Sequence, residues 1–277
     1  MEAYTGFAQV YDLFMDNAPY DKWAEFLLKT LRQEGIREGL ILDLCCGTGT
    51  MTEILADHGY DMIGVDSSEE MLGIAMEKGA RRAEKAGTET AGSGEDRERR
   101  APLYLLQDMR EFELYGTVRG VICICDSVNY LLEEEELLQT FRLVNNYLDP
   151  GGLFVFDFTT VYKYETVIGD TTIAENREEG SFIWENYYDS RREINEYDVT
   201  VFVKDQDGGE ENLFRRFEEF HYQRGYRLSL IRELVEKSGL TWVRALDADT
   251  LDEVNEHSER VYCIARECGK GHAGKGR

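Results

Sequence analysis

The chain has 277 residues, more than one ordinary domain needs, with 42% hydrophobic residues and only 3 prolines. That composition supports a substantial core and excludes a disordered chain. The formal net charge of −24, from 55 acidic and 31 basic residues, sets the surface against nucleic-acid phosphates and anionic lipid, so neither partner is expected, and it suits a cationic ligand.

The opening residues Met1-Glu-Ala-Tyr-Thr-Gly-Phe7 show no basic segment followed by an apolar one, so no secretory leader is expected. Phe7, Val10, Tyr11 and Phe14 fall on one face of a helix, and Trp23, Phe26, Leu27, Thr30 and Leu31 repeat the pattern up to a stop at Gly35. The period then changes. Leu40-Ile-Leu-Asp-Leu-Cys-Cys46 is a short apolar run that reads as a buried strand. Thr50-x-x-Glu53 is a capping-box pattern for the helix that follows. A second strand spans 60–66. A second box, Ser67-x-x-Glu70, opens a helix to about residue 86.

Residues 86–101 are polar, charged and without period, and read as a mobile surface loop. Strands follow at 102–107 and 120–125. Glu133 to Glu136 place negative charge at the start of a helix that stops at Asp149-Pro-Gly-Gly152, and a fifth strand spans 152–158. Segments 181–188, 194–204 and 212–223 are aromatic and β-branched, with a hairpin turn at 205–209. A helix at 229–238 and strands at 241–246 and 260–265 close the fold, and 269–277 reads as a disordered tail.

Strands alternating with helices predict an α/β fold with a doubly wound, mostly parallel sheet. The expected organisation is an N-terminal helical lid (1–36), a core (37–158 and 227–268) and an inserted antiparallel β cap (159–226). No run of 18 apolar residues exists, so no membrane span is expected. Cys45, Cys46, Cys123, Cys125, Cys263 and Cys268 lack C-x-x-C spacing and read as reduced thiols of a cytoplasmic protein.

The chemistry centres on Asp43-x-Cys45-x-Gly47-Thr48-Gly49, between a strand and a helix, where a ligand can approach the backbone closely. Asp66 ends the next strand, placed to accept hydrogen bonds from two ribose hydroxyls. Asp108 follows the third strand, and Met109 and Met71 offer apolar faces to a base. Cys45, Thr48 and Ser67 complete this candidate cofactor-binding set. A pyrophosphate site wants a third glycine where Thr52 stands, and Asp43 would oppose the phosphates. S-adenosylmethionine, with a cationic sulfonium and an ammonium group, suits Asp43.

The ordered motifs Ile41-Leu-Asp-Leu-Cys-Cys-Gly-Thr-Gly49, Gly64-Val-Asp-Ser-Ser-Glu-Glu-Met-Leu72, Gln107-Asp-Met109 and Leu148-Asp-Pro-Gly-Gly-Leu-Phe-Val-Phe-Asp157 resemble the class I S-adenosylmethionine-dependent methyltransferases. Flanking segments 4–12 and 221–226 are similar to a bacterial branch acting on small molecules. The resemblance implies a seven-stranded sheet with an antiparallel last strand. It implies Gly47 and Gly49 at the methionine moiety, Asp66 at the ribose, and Asp108 with Met109 at the adenine.

Methyl transfer would then occur above the fourth strand. There Asp126 or Asn129 could bond an acceptor, Asp126 could also touch the cofactor, and Tyr130 could lie beside the methyl group. Tyr4, Phe7, Tyr11, Tyr20 and Trp23 form an aromatic set; Phe7 reads as helix core, Tyr11 and Trp23 as a lid over the cofactor. His221 is a candidate base, although a structural histidine is the commoner reading. Trp184, Tyr187 and Tyr188 are expected to roof the acceptor. His58 and His257 read as surface residues, and no metal is predicted. A small-molecule methyltransferase is the leading function; an NAD(P)-dependent oxidoreductase and a non-catalytic S-adenosylmethionine-binding module are the alternatives.

Overall fold

A computed structural model describes residues 7–89, 100–205 and 213–270. Helices α1 (Ala8–Phe14) and α2 (Tyr20–Gln33) precede β1 (Leu40–Leu44), α3 (Thr50–Asp57), β2 (Asp61–Asp66), α4 (Glu69–Glu89), β3 (Leu103–Leu106), β4 (Val118–Cys123), α5 (Glu134–Tyr147) and β5 (Leu148–Thr159). Four strands follow: β6 (Thr172–Asn176), β7 (Gly180–Asp189), β8 (Ile194–Lys204) and β9 (Phe214–Arg224). The chain returns with α6 (Leu228–Lys237), β10 (Leu240–Asp247) and β11 (Arg260–Glu267).

The main sheet has seven strands in the order β10-β11-β5-β4-β1-β2-β3, and β11 runs antiparallel to both β5 and β10. Helices cover both faces, which is why β1 and β5 from Gly152 onward are buried on both sides instead of alternating, Asp43 and Asp157 included. On one face Phe141, Val144, Ile231 and Val235 of α5 and α6 pack against Phe154 and Phe156. On the other, Leu27 and Leu31 of α2 and Leu55 of α3 pack against Ile41 and Ile122. The strand order reverses between β1 and β4, the place where open α/β sheets bind ligands at their carboxyl ends.

The second sheet, β6-β7-β8-β9, is antiparallel. Its inner face packs Phe182, Tyr197, Val199 and Val201 against Val10 and Phe14 of α1, so the first helix belongs to this smaller core. β6 and a π-helical turn at Lys163–Ile168 were not distinguished in the sequence, where 159–180 lacks a clean period. Expected features at 205–209, at 269–277 and in the 86–101 loop fall largely outside the described residues. Helix α4 itself extends through Glu89, past its expected end.

Both expected capping boxes need correction. Gly49 is the N-cap of α3, left-handed at φ 74°, with no side-chain cap bond; Glu53 instead accepts from the Tyr104 hydroxyl at 2.9 Å and from Arg82. For α4 the cap is Ser68, one residue later than expected, because its Oγ accepts from the Met71 N–H at 3.2 Å. The reciprocal box occurs at α5, between Glu133 and Glu136.

Candidate functional site

A cavity of about 590 Å³ lies over the carboxyl ends of the central strands, bounded by the loops after β1, β2, β3 and β4 and by Tyr11 and Tyr20. Of the expected cofactor set, Tyr11, Asp43, Cys45, Gly47, Thr48, Asp66, Ser67, Met71, Asp108 and Met109 line it. Trp23, Gly49 and Asp126 do not.

Asp66 binds the backbone of two loops at once. Its Oδ2 accepts from the Gly47 N–H at 2.8 Å and its Oδ1 from the Ser68 N–H at 2.9 Å. Burial raises its carboxyl above the usual range, against these bonds. Asp43 accepts from the Thr52 hydroxyl at 2.6 Å, so the residue that breaks the dinucleotide glycine pattern is the partner of this acid. Burial pushes Asp43 up to about 7, with the charge of Asp66 adding to the rise. Asp108 is held below its ordinary value by Arg110, whose Nε and terminal nitrogen reach its two oxygens at 2.9 and 2.6 Å.

The two glycines of the loop serve different ends. A Cβ at Gly47 (φ 54°) would meet nothing within 4 Å, so this residue leaves open space at the cavity wall. A Cβ at Gly49 would lie 2.6 Å from the Tyr104 hydroxyl and 2.9 Å from Ala75. Gly49 is therefore required by packing and by its left-handed backbone. Thr48 donates to Asp12 of α1 at 2.7 Å, and Lys78 of α4 bonds Asp12 at 2.6 Å and the hydroxyls of Thr48 and Thr50 at 3.0 Å each. Cys45 donates to the Met109 sulfur at 3.6 Å; its bond with Cys123 and its burial push its thiol well up, leaving it uncharged.

The turn after β4 is bent by one acid. Cys125 (φ 67°) and Asp126 (φ 51°) are both left-handed, a conformation that costs energy in residues bearing a Cβ. Fully buried Asp157 of β5 accepts from their N–H groups at 3.1 and 2.7 Å. Arg260 of β11 neutralises Asp157, with its Nε at 2.5 Å. The guanidinium sits 4.4 Å from the centre of the Trp23 ring. Trp23 is thus buried beneath the site as the partner of a structural cation.

The other acceptor-side candidates separate. Asp126 turns its carboxylate to Gln223, whose Nε2 donates at 2.9 Å. Asn129 is fully buried; its amide donates to the carbonyls of Thr159 and Arg224 and accepts from the Thr159 N–H, so it stitches the turn to the ends of β5 and β9. Tyr130 lines the cavity, and its hydroxyl lies 3.2 Å from His221 Nδ1. Trp184 and Tyr188 pack within the smaller core, against Tyr197 and Tyr164, while Tyr187 is 52% exposed. None of the three lines the cavity. Phe7 stacks on Phe14, and Tyr4 lies outside the described residues.

Sequence reasoning passed over Asp157, Arg260, Gln223 and Glu219. A signal existed for two of them: Glu219, His221 and Gln223 alternate along β9, and all three are buried. Among the described residues no cluster of three or more His, Cys, Asp or Glu could hold a metal ion. No helix among them is long and apolar enough to cross a membrane.

Residues 41–152 match a family model described as a methyltransferase domain. A protein of Geobacillus sp. (strain WCH70) described as a methyltransferase is 37% identical over 266 residues, 95% of this chain and 99% of that one. The dTDP-3-amino-3,4,6-trideoxy-alpha-D-glucopyranose N,N-dimethyltransferase of Streptomyces venezuelae is 31% identical over 152 residues, 54% of this chain and 56% of that one. The crystal structure of an S-adenosylmethionine-dependent methyltransferase from Clostridium acetobutylicum superposes with a TM-score of 0.80 at 26% identity, over 97% of this chain and all of that one.

Proposed function

Because the chain belongs to the class I S-adenosylmethionine-dependent methyltransferases, we propose that it methylates an amine nitrogen of a small-molecule acceptor beside the turn after β4. The protein is an enzyme, and S-adenosylmethionine is its methyl donor. The oxidoreductase and non-catalytic alternatives fall with that membership.

The residues present fit the donor. Gly47 leaves its side of the cavity open, and the acids at three successive strand ends, Asp43, Asp66 and Asp108, suit a cationic adenosyl compound. In this reading Asp66 holds the ribose, Met71, Asp108 and Met109 the adenine, and Gly47, Thr48 and Asp43 the methionine moiety. Bound there, the donor supplies an electrophilic methyl carbon, and alignment with desolvation supplies much of the acceleration. Tyr11 on α1 closes the cavity, and the four-stranded sheet backs that closure from outside, through its packing on α1 and its contact with Tyr130.

One observation carries the acceptor's position. A single cavity runs from the Gly47 loop to Tyr130 and Leu131 after β4, so donor and acceptor share one space. An amine is favoured because the cavity wall is acidic and because the Streptomyces relative acts on an amino sugar. Methyl transfer from radiolabelled S-adenosylmethionine to matched amines, alcohols and thiols tests the reading. Labelling of amines is expected; labelling confined to alcohols or thiols would overturn it.

A further inference from the structure

We propose that Tyr130, His221 and Glu219 form a proton relay, in which Tyr130 takes the proton from the acceptor and His221 takes it from Tyr130. The inference deepens the amine reading above and rests on it for the identity of the acceptor. Tyr130 alone of the three lines the cavity. Its hydroxyl lies 3.2 Å from His221 Nδ1, and the opposite ring nitrogen, Nε2, lies 3.2 Å from Glu219 Oε2. His221 and Glu219 are 5% and 4% exposed, so the chain runs from the cavity wall into the protein.

The polarity of the chain follows from its far end. A Glu219 carboxylate that accepts at Oε2 places the imidazole proton on Nε2, so that Nδ1 accepts from the Tyr130 hydroxyl. The second oxygen, Oε1, accepts from the Phe7 N–H at 2.9 Å, at the start of α1. Glu219 is thereby fixed through both oxygens and acts as a positioning residue for the imidazole, as a buried carboxylate does behind a catalytic histidine. The same bond couples the relay to the helix that carries Tyr11 over the cavity.

The step balances as follows. An amine that arrives protonated gives its N–H proton to the Tyr130 oxygen as the Tyr130 proton moves to His221 Nδ1. The freed lone pair forms the bond to the methyl carbon, and the carbon–sulfur bond breaks with its electron pair left on sulfur. The imidazolium formed is balanced by Glu219 and returns its proton to solvent after the products leave. Asp126 takes no part, because it does not line the cavity and turns its Oδ2 to Gln223.

Two measurements test the relay. The first needs no acceptor: 15N spectra of the histidines in the full chain with S-adenosylhomocysteine, assigned with His221→Gln. The Nε2–H tautomer of neutral His221 is expected; the Nδ1–H tautomer overturns the relay, because His221 would then donate to Tyr130. Glu219→Gln is expected to disturb that tautomer, and an unaltered spectrum counts against its positioning role. The second uses the dTDP-linked 3-amino sugar as probe. Tyr130→Phe and His221→Gln should each lower kcat about 10²-fold or more with cofactor affinity unchanged. A kcat for Tyr130→Phe within twofold of the parent overturns the proposal. If the parent methylates no amine at all, the amine reading fails, while the tautomer still decides the relay.

Discussion

The side chain of Gln223, on β9, donates from Nε2 to Asp126 Oδ2 at 2.9 Å, joining the small sheet to the turn that follows β4 across 97 residues. The Oε1 of Gln223 accepts from the hydroxyls of Tyr164 at 2.7 Å and Tyr197 at 2.6 Å, so one amide satisfies two buried hydroxyls and a half-buried carboxyl. Burial raises the Asp126 carboxyl and Arg260 only partly offsets this, which makes the Gln223 bond harder to replace. Gln223→Leu strands two hydroxyls in the interior and removes a partner from the half-buried Asp126 carboxyl. A loss of about 3 kcal/mol or more is expected in urea unfolding, since each orphaned buried polar group costs roughly 1–3 kcal/mol. A loss below 1 kcal/mol would mean that water replaces the amide.

Asp66 offers a second test because its two oxygens already hold Gly47 and Ser68. A ribose hydroxyl would be a further donor to the same carboxylate, at a site whose geometry the backbone has fixed. Asp66→Ala removes that acceptor and releases the Gly47 loop together. Cofactor binding is expected to weaken by roughly 1–3 kcal/mol in calorimetry. Unchanged affinity would remove Asp66 from the ribose. Asp66→Asn keeps one acceptor oxygen and should lose less.

The contrast between these two sites explains what could be read from the chain itself. The acidic wall of the cavity was legible because it is local: Asp43 lies in β1, Asp66 ends β2 and Asp108 follows β3, and a parallel sheet brings successive strand ends to one edge. The acceptor side depends on distant partners. Asp157 meets Arg260 across 103 residues, and Glu219 meets the Phe7 N–H across 212. Trp23 looked like a lid aromatic because aromatic residues precede the first strand, yet its ring lies under Arg260. The stripe Glu219, His221, Gln223 has the period of a strand's solvent face, and only the packing of β9 over the turn shows that it is buried.

Asp43 predicts a pH dependence. Burial raises its carboxyl from 3.8 to about 7, so between those values the folded protein holds a proton that the unfolded chain has released. Its contribution to stability is therefore greatest at low pH and declines as pH rises through about 7. Binding of a cation runs the other way, since only ionised Asp43 attracts it. The preference for S-adenosylmethionine over uncharged-sulfur S-adenosylhomocysteine should rise between pH 6 and 8, read by calorimetry with each. In Asp43→Asn, which still accepts from Thr52, that rise should flatten. An identical slope in both proteins would place the charge elsewhere.

Lys78 tests whether α1 acts as a lid. Seven residues are too few to hold a helix unaided, so the position of α1 depends on what it touches. On the sheet side, Arg177 bonds the Leu13 carbonyl at 2.6 Å and Asp16 at 2.7 Å. On the core side Asp12 bonds Lys78 and Thr48, beside the side-chain bonds of Tyr11 with Tyr20 and Cys125. The Lys78–Asp12 pair is partly exposed, and such pairs contribute about 0–1 kcal/mol, so Lys78→Met should hardly alter global stability. Yet α1 carries Tyr11 at the cavity wall, and a lid freed on one side opens more often. Release of S-adenosylhomocysteine in stopped-flow should then quicken by about fivefold, the equivalent of ~1 kcal/mol. Asp12→Asn should do the same, and the double variant should be no faster than either single one, because both break one contact. Additive effects would mean that Asp12 acts through Thr48 alone, and an unchanged release rate in all three would show that α1 does not gate the cavity.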